Sequence, residues 1–161
     1  MSSVNRRFAL LGLAALVSAC GSGRSEGHGR PEMGAFDPPL HANETPELRR
    51  LINVYADHYE VPRGLLHRII VRESRHRPEA RNGPYFGLMQ ILPATARGVG
   101  FRGSDRDLLN AETNLTYGVK YLRGAWLLSD GSYDRAEKWY SSGYYYEAKR
   151  RGMLVATGLR N

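Results

Sequence analysis

The fold is decided by residues 65–90, which read LLHRIIVRESRHRPEARNGPYFGLMQ. In the first half of this stretch, apolar residues recur at the three- and four-residue spacing of a helix. Glu73 falls on the same face as Ile69 and Ile70, because residues three and four positions apart share one side of a helix. The sequence therefore predicts a helix with a carboxyl group on its apolar side.

This placement gives Glu73 two interpretations. Burial disfavours the charged form of a carboxyl group, so the side chain is expected to keep its proton near neutral pH. A protonated carboxyl group is what a general acid needs. The alternative is a structural glutamate that pairs with one of the many arginines of the chain, and the spacing alone leaves both open.

Four short motifs follow in order. Glu73-Ser74 ends the helix, and GLMQ at residues 87–90 follows across a loop in which a small hairpin is possible. An Asn-x-x-x-Gly pattern occupies residues 114–118, and residues 140–143 hold a tyrosine followed three positions later by glycine. Together, over residues 44–153, these motifs resemble the lysozyme-like lytic transglycosylases, the family with the soluble-transglycosylase domain. The resemblance implies a mostly α, lysozyme-like helical domain.

The family resemblance also implies a reaction, cleavage of the β-1,4 bond between N-acetylmuramic acid and N-acetylglucosamine in peptidoglycan. Ordinary glycosidases use two carboxylates, whereas Glu73 is the one well-placed candidate here. By the family mechanism, Glu73 protonates the leaving oxygen and then removes the proton from the C6 hydroxyl, which closes a 1,6-anhydro ring. No water is consumed, so a single carboxyl group suffices.

The same resemblance assigns roles around the acid. Tyr140 is implied to hydrogen-bond Glu73 and hold its orientation, with a core tyrosine as the alternative. Met89 and Gln90 are implied to line the sugar cleft, where the glutamine amide can both donate and accept. Gly87 is implied to let the backbone approach the substrate closely.

The sequence departs from the usual family pattern in two places. Ser141 stands where an asparagine commonly follows the motif tyrosine. The loop before GLMQ lacks its common serine, so Asn82 is expected to replace it as a polar partner for an acetamido group or for Glu73. Tyr85 and Phe86 are expected to widen a platform on which a sugar ring stacks. These changes affect the sugar subsites more than the acid.

Three further residues are assigned by position. Ser74 is placed among the substrate contacts, although support of the helix end is its stronger role. Asn114 is expected to be structural, through a hydrogen bond behind the catalytic helix. Tyr144 belongs to the aromatic and basic stretch 139–153, which is expected to continue the glycan cleft. A nucleic-acid surface of stacking rings and cations, or a plain solvated helix, are the alternatives for this stretch.

The N-terminal residues predict export and lipid attachment. Arg6 and Arg7 precede a short apolar segment at residues 8–17, which is typical of a secretory signal peptide and too short for a confident membrane span. VSAC at residues 17–20 resembles a bacterial lipobox, which implies cleavage before Cys20 and its acylation. An ordinary signal peptide with an incidental cysteine is the alternative. No aspartate follows the cysteine, and by resemblance this favours a periplasm-facing anchor in the outer membrane.

Composition divides the chain into a signal peptide at 1–19, a flexible linker at 20–43 and a folded domain at 44–161. The resemblances imply that the linker begins with a lipidated N-terminus and that the folded domain is a lytic transglycosylase domain. The linker histidines His28 and His41 are expected to be solvated, and neither a metal nor a cofactor is expected. The net charge of +7 suits an anionic partner. An export signal favours peptidoglycan strands and a membrane anchor over nucleic acid.

Three other functions compete with the lytic transglycosylase. A hydrolytic muramidase would cut the same bond with water, and a catalytically silent lipoprotein would only bind peptidoglycan. A secreted nucleic-acid binder is the most distant alternative.

Overall fold

The computed structural model of the protein describes residues 38–160. The predicted signal peptide, the acylation of Cys20 and most of the predicted linker lie outside the described residues. Within residues 38–160, no helix combines the length and the apolar character needed to cross a bilayer.

The described chain is mostly helical, as the sequence predicts, with one short hairpin in the loop after Glu73. The strands of the hairpin are antiparallel, with Arg81 opposite Phe86. In chain order the elements are α1 (Pro46–His58), α2 (Arg63–Glu73), β1 (Arg81–Asn82), β2 (Tyr85–Phe86), α3 (Pro93–Gly98), a 3₁₀ helix (Asp105–Leu109), α4 (Ala111–Leu127), α5 (Tyr133–Ser142) and α6 (Tyr145–Arg150).

Polar caps start three of these helices. The side chains of Thr45, Asn110 and Ser132 each accept a hydrogen bond from a main-chain N–H three residues further on, at the starts of α1, α4 and α5. Each cap satisfies one donor that the first turn of a helix leaves without a partner. The sequence therefore fixes these three starting points locally.

Helix α2 runs through the centre of the core. Its Leu65, Leu66, Ile69 and Ile70 have no exposed surface and belong to the same apolar cluster as Leu115 and Leu122 of α4. Burial of one such side chain contributes about 1.5–3 kcal/mol. Helix α2 is therefore firmly held, and its last residue, Glu73, takes its position from that packing.

The folded part reaches further towards the N-terminus than the predicted boundary at residue 44. Arg49 of α1 donates hydrogen bonds to the carbonyl oxygens of Pro38 (2.8 Å) and Pro39 (3.3 Å). The ring of His41 lies 5.0 Å from that of His76, so His41 is packed rather than solvated as the linker interpretation predicted. We call residues 38–45 the N-terminal strap. The buried Arg49 holds the start of this strap through the carbonyl oxygens of Pro38 and Pro39.

Candidate active site

Glu73 is half-buried at the end of α2, with 23% of its side chain exposed. Its Oε1 accepts hydrogen bonds from Arg72 Nε at 2.9 Å and Nη2 at 2.5 Å. The arginine pairing that the sequence left open is therefore present, and the predicted burial of Glu73 on the apolar side of α2 is only partial. As the last residue of the helix, Glu73 extends past the buried Ile69–Ile70 face towards a guanidinium and an open groove.

Arg72 connects this acid to the neighbouring helix. Its Nη1 also donates to Glu137 of α5. One turn earlier in α2, Arg68 pairs with Glu137 at 2.6 Å and with Asp134 at 2.7 Å. These ion pairs join the end of α2 to α5.

The groove consists of two adjoining cavities that meet at Glu73. The larger measures about 740 Å³ and the smaller about 510 Å³. Glu73, Asn82 and Gln90 line both of them. The larger is otherwise lined by Asn43, His76, Arg77, Pro78, Glu79, Ala80 and Arg81, and the smaller by residues that include Arg72, Tyr85, Tyr121, Tyr140 and Ser141. Open space therefore extends on both sides of the acid.

Gln90 presents a fixed amide to the groove. Its Nε2 donates to the carbonyl oxygens of Ala80 (3.0 Å) and Gly87 (2.9 Å), so the amide oxygen is the atom available to a ligand. Asn82 and Tyr85 face each other in the hairpin and are both exposed. The positions of these three residues in the fold agree with the prediction that they line the cleft. Phe86, the other residue predicted for the stacking platform, is 6% exposed and packs in an apolar cluster, so its predicted role is wrong.

Met89 does not line the groove, so the predicted cleft contact of its side chain is wrong. The side chain has no exposed surface and packs against Gly118 of α4. The main chain turns sharply here, with φ of +45° at Gln90. Met89 therefore points into the core, while its neighbour Gln90 points into the groove.

The predicted hydrogen bond from Tyr140 to Glu73 is also replaced by another. The Tyr140 hydroxyl donates to the carbonyl oxygen of Met89 at 2.8 Å, and only 8% of the residue is exposed. Burial, assisted by the charge of Glu73, raises the pKa of Tyr140 well above its ordinary value. Tyr140 is thus a neutral donor that braces the GLMQ turn.

Gly87 makes room for Asn114 rather than for substrate, which corrects its predicted role. A Cβ at Gly87, where φ is +74°, would lie 2.2 Å from Asn114 Nδ2. That amide donates to the carbonyl oxygens of Phe86 and Leu108, both at 2.8 Å, and Asn114 Oδ1 accepts from the N–H of Met89 at 2.9 Å. The structural role predicted for Asn114 is confirmed, but its hydrogen bonds hold the GLMQ turn rather than the catalytic helix.

Tyr144 and Ser74 are structural too, and their predicted substrate contacts are wrong. Tyr144 is 2% exposed, and its hydroxyl donates to the carbonyl oxygen of Tyr121 at 2.9 Å. Ser74 is 2% exposed, and its hydroxyl donates to the carbonyl oxygen of Ile70 at 3.3 Å. The short helix α6 turns Tyr144 inward, and Ser74 closes the end of α2.

Sequence reasoning missed several residues of the groove, among them Arg72 and Tyr121. Arg72 binds the acid, and its adjacency to Glu73 was a signal that could have found it. Tyr121 lines the smaller cavity and lies seven residues after Asn114, on the same face of α4.

In the described part of the chain, Glu44, His67 and His76 bring metal-ligating atoms together, and His76 reaches the wall of the larger cavity.

The comparison with protein families agrees with this geometry. A family model described as Transglycosylase SLT domain matches residues 50–143, from within α1 to the residue after α5, and the match includes Glu73, the GLMQ turn and Tyr140. No curated protein and no solved structure matches the chain. Since the family match covers more than half of the sequence, the chain belongs to the Transglycosylase SLT domain family, the lysozyme-like lytic transglycosylases.

Proposed function

We propose that the protein cleaves the β-1,4 bond between N-acetylmuramic acid and N-acetylglucosamine in peptidoglycan without water, leaving 1,6-anhydromuramic acid ends. The observation that carries this proposal is the position of Glu73 where two cavities meet. A polymer must extend on both sides of the bond that is cut, and the groove offers that space. Membership of the transglycosylase family supports the reaction type.

Glu73 acts first as acid and then as base in this proposal. It protonates the glycosidic oxygen, and the 2-acetamido group of the substrate stabilises C1. It then takes the proton from the C6 hydroxyl as that oxygen bonds to C1, so the acid returns to its initial state. Arg72 orients the carboxyl group through its contacts with Oε1.

The groove walls suit an amino sugar with acidic peptide stems. Tyr85 offers a ring face, 41% exposed, for stacking. Asn82 and the amide oxygen of Gln90 can bind an acetamido group. Arg77 and Arg81 bring positive charge to the larger cavity, where they would meet the carboxylates of a peptide stem.

A second carboxylate, Glu79, lines the larger cavity and is exposed. A hydrolytic muramidase would need such a group to activate water. The proposed reaction does not need it, so Glu79 separates the two mechanisms. The second candidate function is a catalytically silent protein that only binds peptidoglycan. The Arg72–Glu73 ion pair favours this candidate, because Arg72 already binds the carboxylate that would have to react.

The test is digestion of purified peptidoglycan, followed by mass spectrometry of the released fragments. Wild type and Glu79→Gln are expected to release anhydro-ended fragments, and Glu73→Gln to release none. Glu112→Gln, an exposed substitution at the start of α4, is the matched control. Reducing-end products from wild type, together with loss of activity in Glu79→Gln, would favour the muramidase. Binding of peptidoglycan by wild type without any release would favour the silent protein.

We further propose that the protein is a periplasm-facing lipoprotein of the outer membrane. The proposal rests on the sequence around Cys20 and on the reach that a tethered enzyme needs. Labelling of cells with a fatty-acid analogue is expected to mark the wild-type protein and not Cys20→Ala. Equal labelling of both would overturn it.

A further inference from the structure

Three potential metal ligands converge at the junction of the N-terminal strap and α2. Glu44 comes from the strap, His67 from the middle of α2 and His76 from the turn that follows α2. They are 7%, 4% and 2% exposed. Two imidazoles and a carboxylate at one buried point are a set of ligands that zinc accepts in proteins.

The spacing of their atoms fits one face of a tetrahedron. Glu44 Oε1 lies 3.5 Å from both His67 Nδ1 and His76 Nε2, and the two nitrogens are 3.2 Å apart. Around a tetrahedral zinc ion with bonds of about 2.0–2.1 Å, neighbouring ligand atoms are separated by about 3.3–3.4 Å. An ion above the centre of this triangle would reach all three atoms with little movement.

The hydrogen bonds of the cluster turn one nitrogen of His67 towards the triangle. His67 Nε2 donates to Asn53 Oδ1 at 3.1 Å, so Nδ1 accepts the hydrogen bond from His76 Nε2, and an ion would take the place of that hydrogen with His76 in its other tautomer. A partner such as Asn53 on the second ring nitrogen is usual for metal-binding histidines.

Arg49 binds the Glu44 carboxylate but does not use all of the lone pairs of its oxygens. Its Nε donates to Glu44 Oε1 at 2.6 Å and its Nη2 to Oε2 at 2.7 Å. The His41 N–H also donates to Oε2, at 3.0 Å. Each carboxylate oxygen has two lone pairs, so Oε1 can accept from Arg49 and also coordinate an ion.

We propose that Glu44, His67 and His76 form a structural binding site for one divalent cation of the zinc type, with water completing the coordination. The ion joins the strap to the segment that follows the catalytic helix. In that segment Arg75 and His76 have φ of +52° and +58°, values that residues other than glycine adopt at a cost. A bond to His76 would hold this turn, three residues from Glu73, in place.

The test uses the folded wild-type protein, stripped with a chelator and then titrated with Zn²⁺. We expect retention of one equimolar Zn²⁺ after desalting and a rise in the thermal midpoint that Mg²⁺ does not reproduce. Substitution by Co²⁺ should give the visible absorption of a four-coordinate site with nitrogen ligands. His67→Gln and Glu44→Gln should weaken Zn²⁺ binding at least about tenfold.

The matched control is His58→Gln, an exposed histidine at the end of α1, which should bind Zn²⁺ as wild type does. The proposal is overturned if wild type retains no Zn²⁺ and its thermal midpoint does not move, which would leave the cluster as a hydrogen-bonded core. It is also overturned if His67→Gln folds and retains as much Zn²⁺ as wild type. The wild-type measurement decides even if the variants fail to fold.

Discussion

The Tyr140 hydroxyl lies 2.8 Å from the carbonyl oxygen of Met89 and donates to it. This bond joins α5 to the turn in which Met89 faces the core and Gln90 faces the groove. Tyr140 therefore lines the smaller cavity and also supports the groove through the main chain of the GLMQ turn. Its effect on catalysis should accompany an effect on stability.

Tyr140→Phe removes this donor and leaves the Met89 carbonyl without it in a buried place. We expect the free energy of unfolding to fall by about 1–3 kcal/mol, measured by urea denaturation, with a modest loss of activity. Tyr145→Phe, at a tyrosine that is 48% exposed, is the control and should change neither. A large loss of kcat at unchanged stability would instead support direct contact between Tyr140 and Glu73.

Gly87→Ala should be among the most destabilising single substitutions in the groove. The added Cβ would lie 2.2 Å from Asn114 Nδ2 and 2.4 Å from the carbonyl oxygen of Leu108, at a φ of +74°. We expect a loss of about 3 kcal/mol or more in denaturation experiments. Gly83→Ala has a φ of +57° but open space around it, and should cost only about 1 kcal/mol. Equal losses at the two sites would contradict the packing described for Asn114.

Stability should decline at alkaline pH because of Tyr140 and Tyr144. Burial raises the pKa of each above its ordinary value. A raised pKa in the folded state gives a contribution that is complete below the unfolded pKa of about 10 and is lost as pH rises above it. Both phenols should therefore ionise only on unfolding, which ultraviolet absorbance can follow.

Variants identify the two phases of this titration. Tyr144→Phe should reduce the absorbance change that accompanies unfolding. Tyr146→Phe, at a residue that is 84% exposed, should reduce the change that occurs while the protein stays folded. If Tyr144→Phe instead reduces the absorbance change of the folded protein, Tyr144 is exposed in the groove and the burial described here is contradicted.

Arg72→Gln removes the guanidinium that contacts Glu73 Oε1. Because small displacements of a reacting group are costly, kcat should fall at least about tenfold. A partly exposed ion pair contributes little to stability, so the free energy of unfolding should change by less than about 1 kcal/mol. Arg68→Gln, which breaks pairs with Asp134 and Glu137 only, should retain more activity. Full activity in Arg72→Gln would show that the pair does not orient the acid.

The sequence predicted the features that local rules determine. Helical spacing predicted α2, and the Glu73-Ser74 motif marked its end. Motif order indicated the groove residues Asn82 and Gln90. These predictions succeeded because a helix face and a motif are each encoded within a few neighbouring residues.

The failures concern side chains whose direction depends on distant packing. Met89 points inward because the turn at Gln90 has an unusual φ of +45° and Gly118 leaves space across the core. Tyr144 is buried because Gly124 lacks a Cβ, which would lie 2.2 Å from the tyrosine hydroxyl. Neither space is visible in the residues adjacent to the side chain that fills it.

The central claim is that Glu73 drives cleavage without water. The most direct test is to digest peptidoglycan in heavy-oxygen water and to measure the mass of the new muramic acid ends by mass spectrometry. The account predicts that wild type gives ends one water lighter than hydrolysis products, with no heavy oxygen in them, and that Glu73→Gln gives no new ends. Incorporation of heavy oxygen into reducing ends, or undiminished cleavage by Glu73→Gln, would contradict it.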